Sequence, residues 1–285
     1  MNATPRRQKL RAIFAGDHCI HPGSVYDPIS ARAAQDLGFE AGMFAGSIAS
    51  LTVLGAPDLI VLTLSEFADQ AQRICRAGEL PLIVDADHGY GNALNVRRTV
   101  EELETAGVAC LTIEDTLLPK QFGQNATEFL AVEEGVGKMK AALDARQDPD
   151  LILLGRTSAV GPNGVDDGIH RAAAYLDSGV DGIMFVGVKT RAELEAIARV
   201  IDAPIMLGGS GPELKDPACL AELGVRVSLQ GHQAFMAAVQ AMYDCLKALR
   251  EGTAPADLQG VASGELMQRL SRDASYREWQ DDYLG

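Results

Sequence analysis

Short apolar blocks alternate along the chain with longer stretches whose apolar residues recur every three or four positions. The blocks lie at 19–27, 39–44, 80–85, 109–115, 151–156, 182–186, 204–207 and 225–229, each reading as a short buried strand, the first with its turn. Helical periodicity predicts helices over 28–37, 65–77, 95–106, 133–146, 166–178, 191–201, 216–223 and 233–249. One more, over 5–14, precedes the first strand with Leu10, Ile13 and Phe14 on one side. The punctuation agrees: Pro28 at an early helix position, Ser65 as an N-cap before Glu66, and Gly38 and Gly107 as stops. Residues 45–50 read as a small-residue loop, and 116–131 as a loop long enough for a lid. Eight strand–helix units in succession predict a parallel sheet closed into an α/β (β/α)8 TIM barrel. The rival is an open doubly wound sheet, but no GxGxxG follows an early strand.

The pattern breaks after residue 250. The stretch 251–285 is polar and keeps Tyr276, Trp279 and Tyr283 near its end, which predicts a tail packed on the barrel or on a neighbouring subunit. A barrel over 1–250 and a tail over 251–285 is therefore the expected division. Composition narrows the class. Lys+Arg 25 against Asp+Glu 39 gives a net charge of −14, which disfavours nucleic acid and anionic membrane as partners. Five cysteines, odd in number and without a CxxC pair, read as reduced thiols of a cytoplasmic protein. No apolar run has membrane-spanning length, and residues 1–15 lack an apolar signal core.

The strand at 80–85 carries the chain's densest chemistry, ending in Asp85-Ala86-Asp87-His88-Gly89-Tyr90-Gly91. Period-two alternation lets Asp85 and Asp87 face one side, and the glycines allow a tight turn and a close ligand. Carboxylates at the end of a buried strand need a counter-charge, and hard oxygen donors suit Mg²⁺, with Mn²⁺ possible. Two solvated loop aspartates are the bland alternative. In a barrel the catalytic groups gather at the carboxyl ends of the strands. Those ends carry Asp85 and Asp87, then Glu114 and Asp115, then Arg156, then Gly231-His232, with Gly46-Ser47 and Asp58 following the second strand. Singly, Glu114 could be an ion-pair partner of Arg156, Ser47 a turn residue and His232 a helix-start residue. Asp115 reads as a structural cap or pair. Their shared location favours a site for a metal-bound anion, with Arg156 as a planar fork for a carboxylate.

These motifs resemble the phosphoenolpyruvate mutase/isocitrate lyase superfamily over nearly all of residues 8–250. The resemblance rests on Gly46-Ser47, Asp58, the Asp85–Gly91 motif, Ile113-Glu114-Asp115 and Arg156-Thr157. It implies a (β/α)8 barrel whose last helix is exchanged between subunits, in a dimer of dimers. It also implies Asp85 as the direct Mg²⁺ ligand, with Asp87, Glu114 and Asp58 reaching the ion through water. Gly46, Ser47 and Arg156 would then bind the substrate carboxylate.

The loop after the fourth strand separates branches of that superfamily. Its carbon–carbon lyases carry a cysteine and histidine there; this chain has Pro119-Lys120-Gln121-Phe122-Gly123-Gln124. Lys120 and Asn125 match the lysine and asparagine of the mutases and phosphonopyruvate hydrolases, although Phe122-Gly123 does not. Leu117-Leu118-Pro119-x-Gln121-Phe122-Gly123 and Gly231-His232 resemble the oxaloacetate decarboxylase branch. Two positions depart from it: Ser158 stands where that branch has asparagine, and the 208–211 loop lacks a tyrosine. The resemblance implies Mg²⁺-dependent decarboxylation of oxaloacetate or a close 2-oxo diacid to pyruvate and CO₂ through an enolate, with Arg156 and His232 as the catalytic and substrate-binding pair. The alternatives are a C–C or C–P bond-cleaving lyase or hydrolase on another 2-oxo or 2-hydroxy acid, and a barrel that binds 2-oxo acid or metal without turnover.

Overall fold

The structure is a computed structural model that describes residues 2–209 and 211–285. Eight parallel strands pair in sequence order: β1 Gly23–Ser24, β2 Gly42–Phe44, β3 Leu82–Asp85, β4 Cys110–Glu114, β5 Ile152–Thr157, β6 Gly182–Phe185, β7 Ile205–Leu207 and β8 Val225–Ser228. A parallel bridge between Ile20 and Val227 brings the first and last strands together, with Ile20 N–H donating to Arg226 O and Ser228 N–H to Ile20 O. The sequence pattern predicted this barrel. Its first strand is shorter than the apolar block implied, because Pro22 has no N–H to give a ladder.

Alternation along the strands divides the core. Met43, Ile83, Cys110, Ile152, Leu154, Met184, Met206 and Val227 point into the barrel, where Leu10, Ile13 and Phe14 of the Thr4–Phe14 helix close its amino-terminal end. The intervening residues, such as Leu82, Val84, Leu111, Ile113 and Phe185, pack outward against the helices. The inward parity then runs on to the strand ends: Ile83 leads to Asp85, Cys110 to Thr112 and Glu114, and Leu154 to Arg156.

Local signals explain most helix boundaries. Asp27 caps Pro28–Asp36 through a reciprocal bond pair with Ser30, and Asn92 caps Ala93–Ala106, which stops at left-handed Gly107. Two expectations need correction. Thr63, not Ser65, caps Leu64–Cys75, because Glu66 sits three residues on and closes the capping box with it. Residues 45–50 are not a loop: helix Gly46–Ala49 runs into a π-helical turn, Ser50–Leu54, ended by left-handed Gly55. The tail is helical, Gly264–Ser271 and Asp273–Leu284. Leu270 is buried, Arg32 Nη1 donates to its carbonyl at 2.8 Å, Arg269 pairs with Asp36 at 3.0 Å, and Arg272 donates to Ala77 O. Tyr276 and Trp279 meet edge to face with centroids 5.1 Å apart, both exposed. The helix Gln233–Arg250 buries none of its residues in this chain. Among the described residues, no helix is long and apolar enough to cross a membrane.

Candidate active site at the barrel mouth

Asp85, the last residue of β3, is the centre of the carboxyl-end rim. Its Oδ1 accepts from Thr112 Oγ at 2.9 Å and from the backbone N–H of Asp87 at 3.3 Å, while Oδ2 meets Arg156 Nη1. Arg156 extends its second nitrogen, Nη2, to Glu114 Oε2 at 3.4 Å, and Thr116 Oγ donates to the same oxygen at 2.7 Å. Adjacent strands β3, β4 and β5 thus hold one guanidinium between two carboxylates. The fork expected to face substrate is engaged within the protein. What it leaves free is Arg156 Nε, buried without a hydrogen-bond partner.

Asp87 reaches the cluster by a different route from simple strand alternation. The strand has ended, and Asp87 adopts a left-handed conformation, φ +48°, followed by Gly89 at φ +76°. Its carboxylate lies against the Cα of Gly46: a Cβ at residue 46 would overlap Oδ2, with Oδ1 at 2.8 Å. Gly46 is therefore required by the close approach of an acid from the next strand. Ser47 sits beside it, half-buried, in the short helix after β2. Asp58 lies farther along this segment, on the exposed side of the same field.

The electrostatics are those of an under-compensated acid cluster. Burial, and then the charge of Asp85, pushes the Asp87 carboxyl well above the usual carboxylate range. Burial raises Glu114 as well, with Arg156 opposing, and Asp58 rises through burial and Asp85. Burial disfavours the charge on Arg156, but Asp85 and Glu114 outweigh it and hold the guanidinium protonated. Four acids face one cation. A divalent ion would restore the balance, and the side chains beside it offer only oxygen, whereas the orphan Arg156 Nε–H calls for the oxygen of an anion. Among the described residues no three His, Cys, Asp or Glu side chains converge to clasp an ion directly. Carboxylate oxygens of this kind suit a hard ion such as Mg²⁺, which characteristically keeps several waters.

Across the mouth, His232 precedes the helix Gln233–Arg250. Its Nδ1 lies 2.8 Å from Ser24 Oγ, at the end of β1, and burial lowers its pKa despite Asp85. Asp115 faces away from the cluster: wholly buried, it accepts from Tyr175 OH at 2.7 Å and Arg171 Nη1 at 3.2 Å. That is the structural pairing read from the sequence. The same Arg171 donates to Leu130 O at 2.9 Å and stacks on Phe129, fixing the far end of the 116–131 loop. Thr116 and Phe129 bridge at the loop's neck, while Phe122 at its tip is fully exposed. Ser210, in the loop where a tyrosine was missing, lies outside the described residues; neighbouring Gly208 and Gly209 line the mouth. Sequence reasoning missed Thr112, Thr116 and Ser24. Thr112 was detectable by parity, two residues before Glu114 on the same strand.

A parallel barrel with an acid cluster and one arginine at the ends of β3 to β5 places the chain among the barrel enzymes that carry their chemistry at the carboxyl ends of the strands. Residues 10–250 match the phosphoenolpyruvate phosphomutase family, and the chain belongs to it. It is 58% identical over 280 residues to a protein of Bradyrhizobium diazoefficiens named oxaloacetate decarboxylase, covering 98% of this chain and 97% of that one. Among solved structures, a phosphonopyruvate hydrolase complexed with oxalate and Mg²⁺ superposes with a TM-score of 0.87 at 27% identity, covering 98% of this chain and 99% of that one. An oxaloacetate acetylhydrolase bound to 3,3-difluorooxalacetate gives a TM-score of 0.87 at 27% identity, covering 99% of this chain and 98% of that one.

Proposed function

We propose that this chain decarboxylates oxaloacetate, or a close 2-oxo diacid, to pyruvate and CO₂. The observation that carries the reading is a mouth with an acid cluster on one side and a neutral histidine on the other and, among the described residues, no thiol at either. Cys110 opens β4 while Glu114 closes it, so the buried thiol lies at the far end of that strand. Loss of CO₂ from a 2-oxo diacid needs an electron sink and correct orientation, and no thiol acid. The name of the 58% identical relative supports the same substrate.

Asp85 would hold Mg²⁺ or Mn²⁺ directly, with Asp87, Glu114 and Asp58 acting through water. When bound, the ion would supply electrophilic stabilisation of negative charge on the 2-oxo oxygen. Arg156, through its free Nε, and Ser47 with the backbone beside Gly46 would bind the adjacent carboxylate. That grip would set the breaking C–C bond perpendicular to the carbonyl plane, where its electron pair flows into the oxo group. His232 would orient the distal carboxylate. The 116–131 loop would close over the site and exclude bulk water until CO₂ has left, and C3 would then take its proton from solvent as the loop reopens.

The division into a barrel over 1–250 and a tail over 251–285 belongs to the same proposal. So does a dimer of dimers with the last helix exchanged. Along Gln233–Arg250, Met236, Met242, Tyr243 and Leu246 are all more than half exposed in the single chain, which favours a neighbour covering them. A cytoplasmic location fits the thiols and charge. Steady-state turnover of a panel of 2-oxo diacids and phosphonopyruvate, with and without Mg²⁺, tests the reading. Metal-dependent CO₂ release from oxaloacetate is expected; release of phosphate, or of oxalate with acetate, instead of CO₂ would overturn it.

A further inference from the structure

Two histidines flank the barrel mouth near its seam, and their Nδ1 atoms have different partners. His21 Nδ1 lies 2.7 Å from the carbonyl oxygen of Ser228, which can only accept, so His21 carries its proton on Nδ1. His232 Nδ1 lies 2.8 Å from a hydroxyl, Ser24 Oγ, which can do either. Among the described residues His232 Nδ1 is the one hydrogen-bond partner of Ser24 Oγ. If Nδ1 donated, the serine proton would be left without an acceptor in a half-buried position, and His232 Nε2 would face the site as a bare acceptor. If the serine donates, its proton is satisfied and Nε2 keeps a hydrogen. Ser24 and His232 line one cavity of about 100 Å³ together with Met43, Gly208 and Gly209, and among the described residues Nε2 has no hydrogen-bond partner. Burial keeps the imidazole neutral near pH 7, so the tautomer matters.

We propose that Ser24 is a positioning residue for His232: its hydroxyl donates to Nδ1, fixes the Nε2–H form, and presents Nε2–H to the cavity as the donor for the substrate's distal carboxylate. This rests on the decarboxylase reading for the identity of that carboxylate, and not for the tautomer. A bare Nε2 would repel a carboxylate, whereas Nε2–H binds it without adding a full positive charge that would hold the carboxylate back from leaving as CO₂. Ser24→Thr keeps the hydroxyl and is the conservative control.

The test is the nitrogen spectrum of the full-length protein labelled with ¹⁵N-histidine. Two-bond ¹⁵N–¹H correlations distinguish a protonated from a bare ring nitrogen, His232→Gln identifies the signal, and His21 supplies an internal Nδ1–H reference. The wild-type protein should show His232 with Nε2 protonated and Nδ1 bare. Ser24→Ala should give a mixture of tautomers and lower kcat for oxaloacetate about tenfold, with oxalate inhibition unchanged within about twofold. Ser24→Thr should restore both. A protonated Nδ1 in the wild-type protein overturns the proposal without any variant having to fold, and so does an unchanged tautomer with unchanged kcat in Ser24→Ala. If the wild-type protein shows the Nε2–H form but does not release CO₂ from oxaloacetate, the substrate assignment fails while the Ser24–His232 arrangement stands.

Discussion

Replacing Arg171 by methionine removes the cation from a buried acid and the anchor from a loop. Arg171 lies on the helix Val165–Asp177, where it meets Asp115, Asp167 and Leu130 O. Asp115 is 0% exposed, so the substitution strands a carboxylate that water cannot reach. Breaking a buried pair from one side costs about 3–5 kcal/mol. Tyr175 still donates to Asp115, which argues for the lower end, about 3 kcal/mol. An unfolding entropy of about 2.1 cal/mol/K per residue over 285 residues gives about 0.6 kcal/mol/K, so the melting temperature should fall by about 5 °C. The pH dependence has a definite sign. Burial already raises Asp115 in the folded chain, with Tyr175 and Arg171 opposing, and losing Arg171 raises it further. An acid whose folded pKa lies above its unfolded value loses stability as pH rises between the two. The deficit of Arg171→Met should therefore be smaller at acid pH and grow as pH rises. Calorimetry and urea titration at several pH values measure it. A loss below about 0.5 kcal/mol, or one that shrinks with rising pH, refutes the reasoning. Asp115→Asn in the same background should recover part of the loss, because an amide leaves no buried charge.

Further outcomes follow from the mouth itself. Asp85→Ala should abolish activity and metal binding, whereas Asp87→Ala, acting through water, should weaken affinity less; metal titration showing the reverse order would contradict the assignment. Gly46→Ala should lose activity on the order of a hundredfold with little loss of fold, since its Cβ displaces the Asp87 carboxylate; kinetics beside a melting curve tests this. His232→Gln should lower kcat/KM for oxaloacetate by about 10²-fold, about 3 kcal/mol, while oxalate, which lacks the distal carboxylate, inhibits as before. Oxalate with Mg²⁺ should protect the 116–131 loop, including Lys120, from proteolysis; equal cleavage with and without them would show that the loop does not close.

The barrel was readable because its strands are buried on both faces and so appear as unbroken apolar blocks, each followed by a helix with its own caps. What escaped was decided by neighbours distant in sequence. Gly46-Ser47-Ile48-Ala49 has no helical periodicity to display, and it turns into a helix because Ile48 and Ala49 are buried where that segment crosses the barrel rim. The Ser65 cap was a near miss of the same kind: two hydroxyl residues stood within reach, and only the spacing to Glu66 chooses Thr63. The tail helix Gly264–Ser271 is held by buried Leu270, whose carbonyl accepts from Arg32, and by Arg272 just beyond it, which donates to Ala77 O, so its partners lie some two hundred residues away in sequence.

The candidate site divides along the same line. Asp85, Glu114, Arg156 and His232 could be named from sequence because strand ends are countable once strands are. Which of them touch could not be. Pairing of β3 with β4 and β4 with β5 sets Asp85 beside Thr112 and Glu114 beside Arg156, and register of that kind is a property of the closed sheet. The consequence is chemical. Arg156, read as a hand held out to substrate, spends both terminal nitrogens on Asp85 and Glu114, and that leaves Nε as its free donor. A guanidinium locked between two carboxylates cannot swing, so an anion meeting it finds one fixed donor direction. The carboxylates, for their part, are held apart from one another by the same group. Stability is surrendered in keeping Asp87 and Glu114 buried with too little positive charge, and the site gains a concentration of uncompensated carboxylates at a position fixed by three adjacent strands.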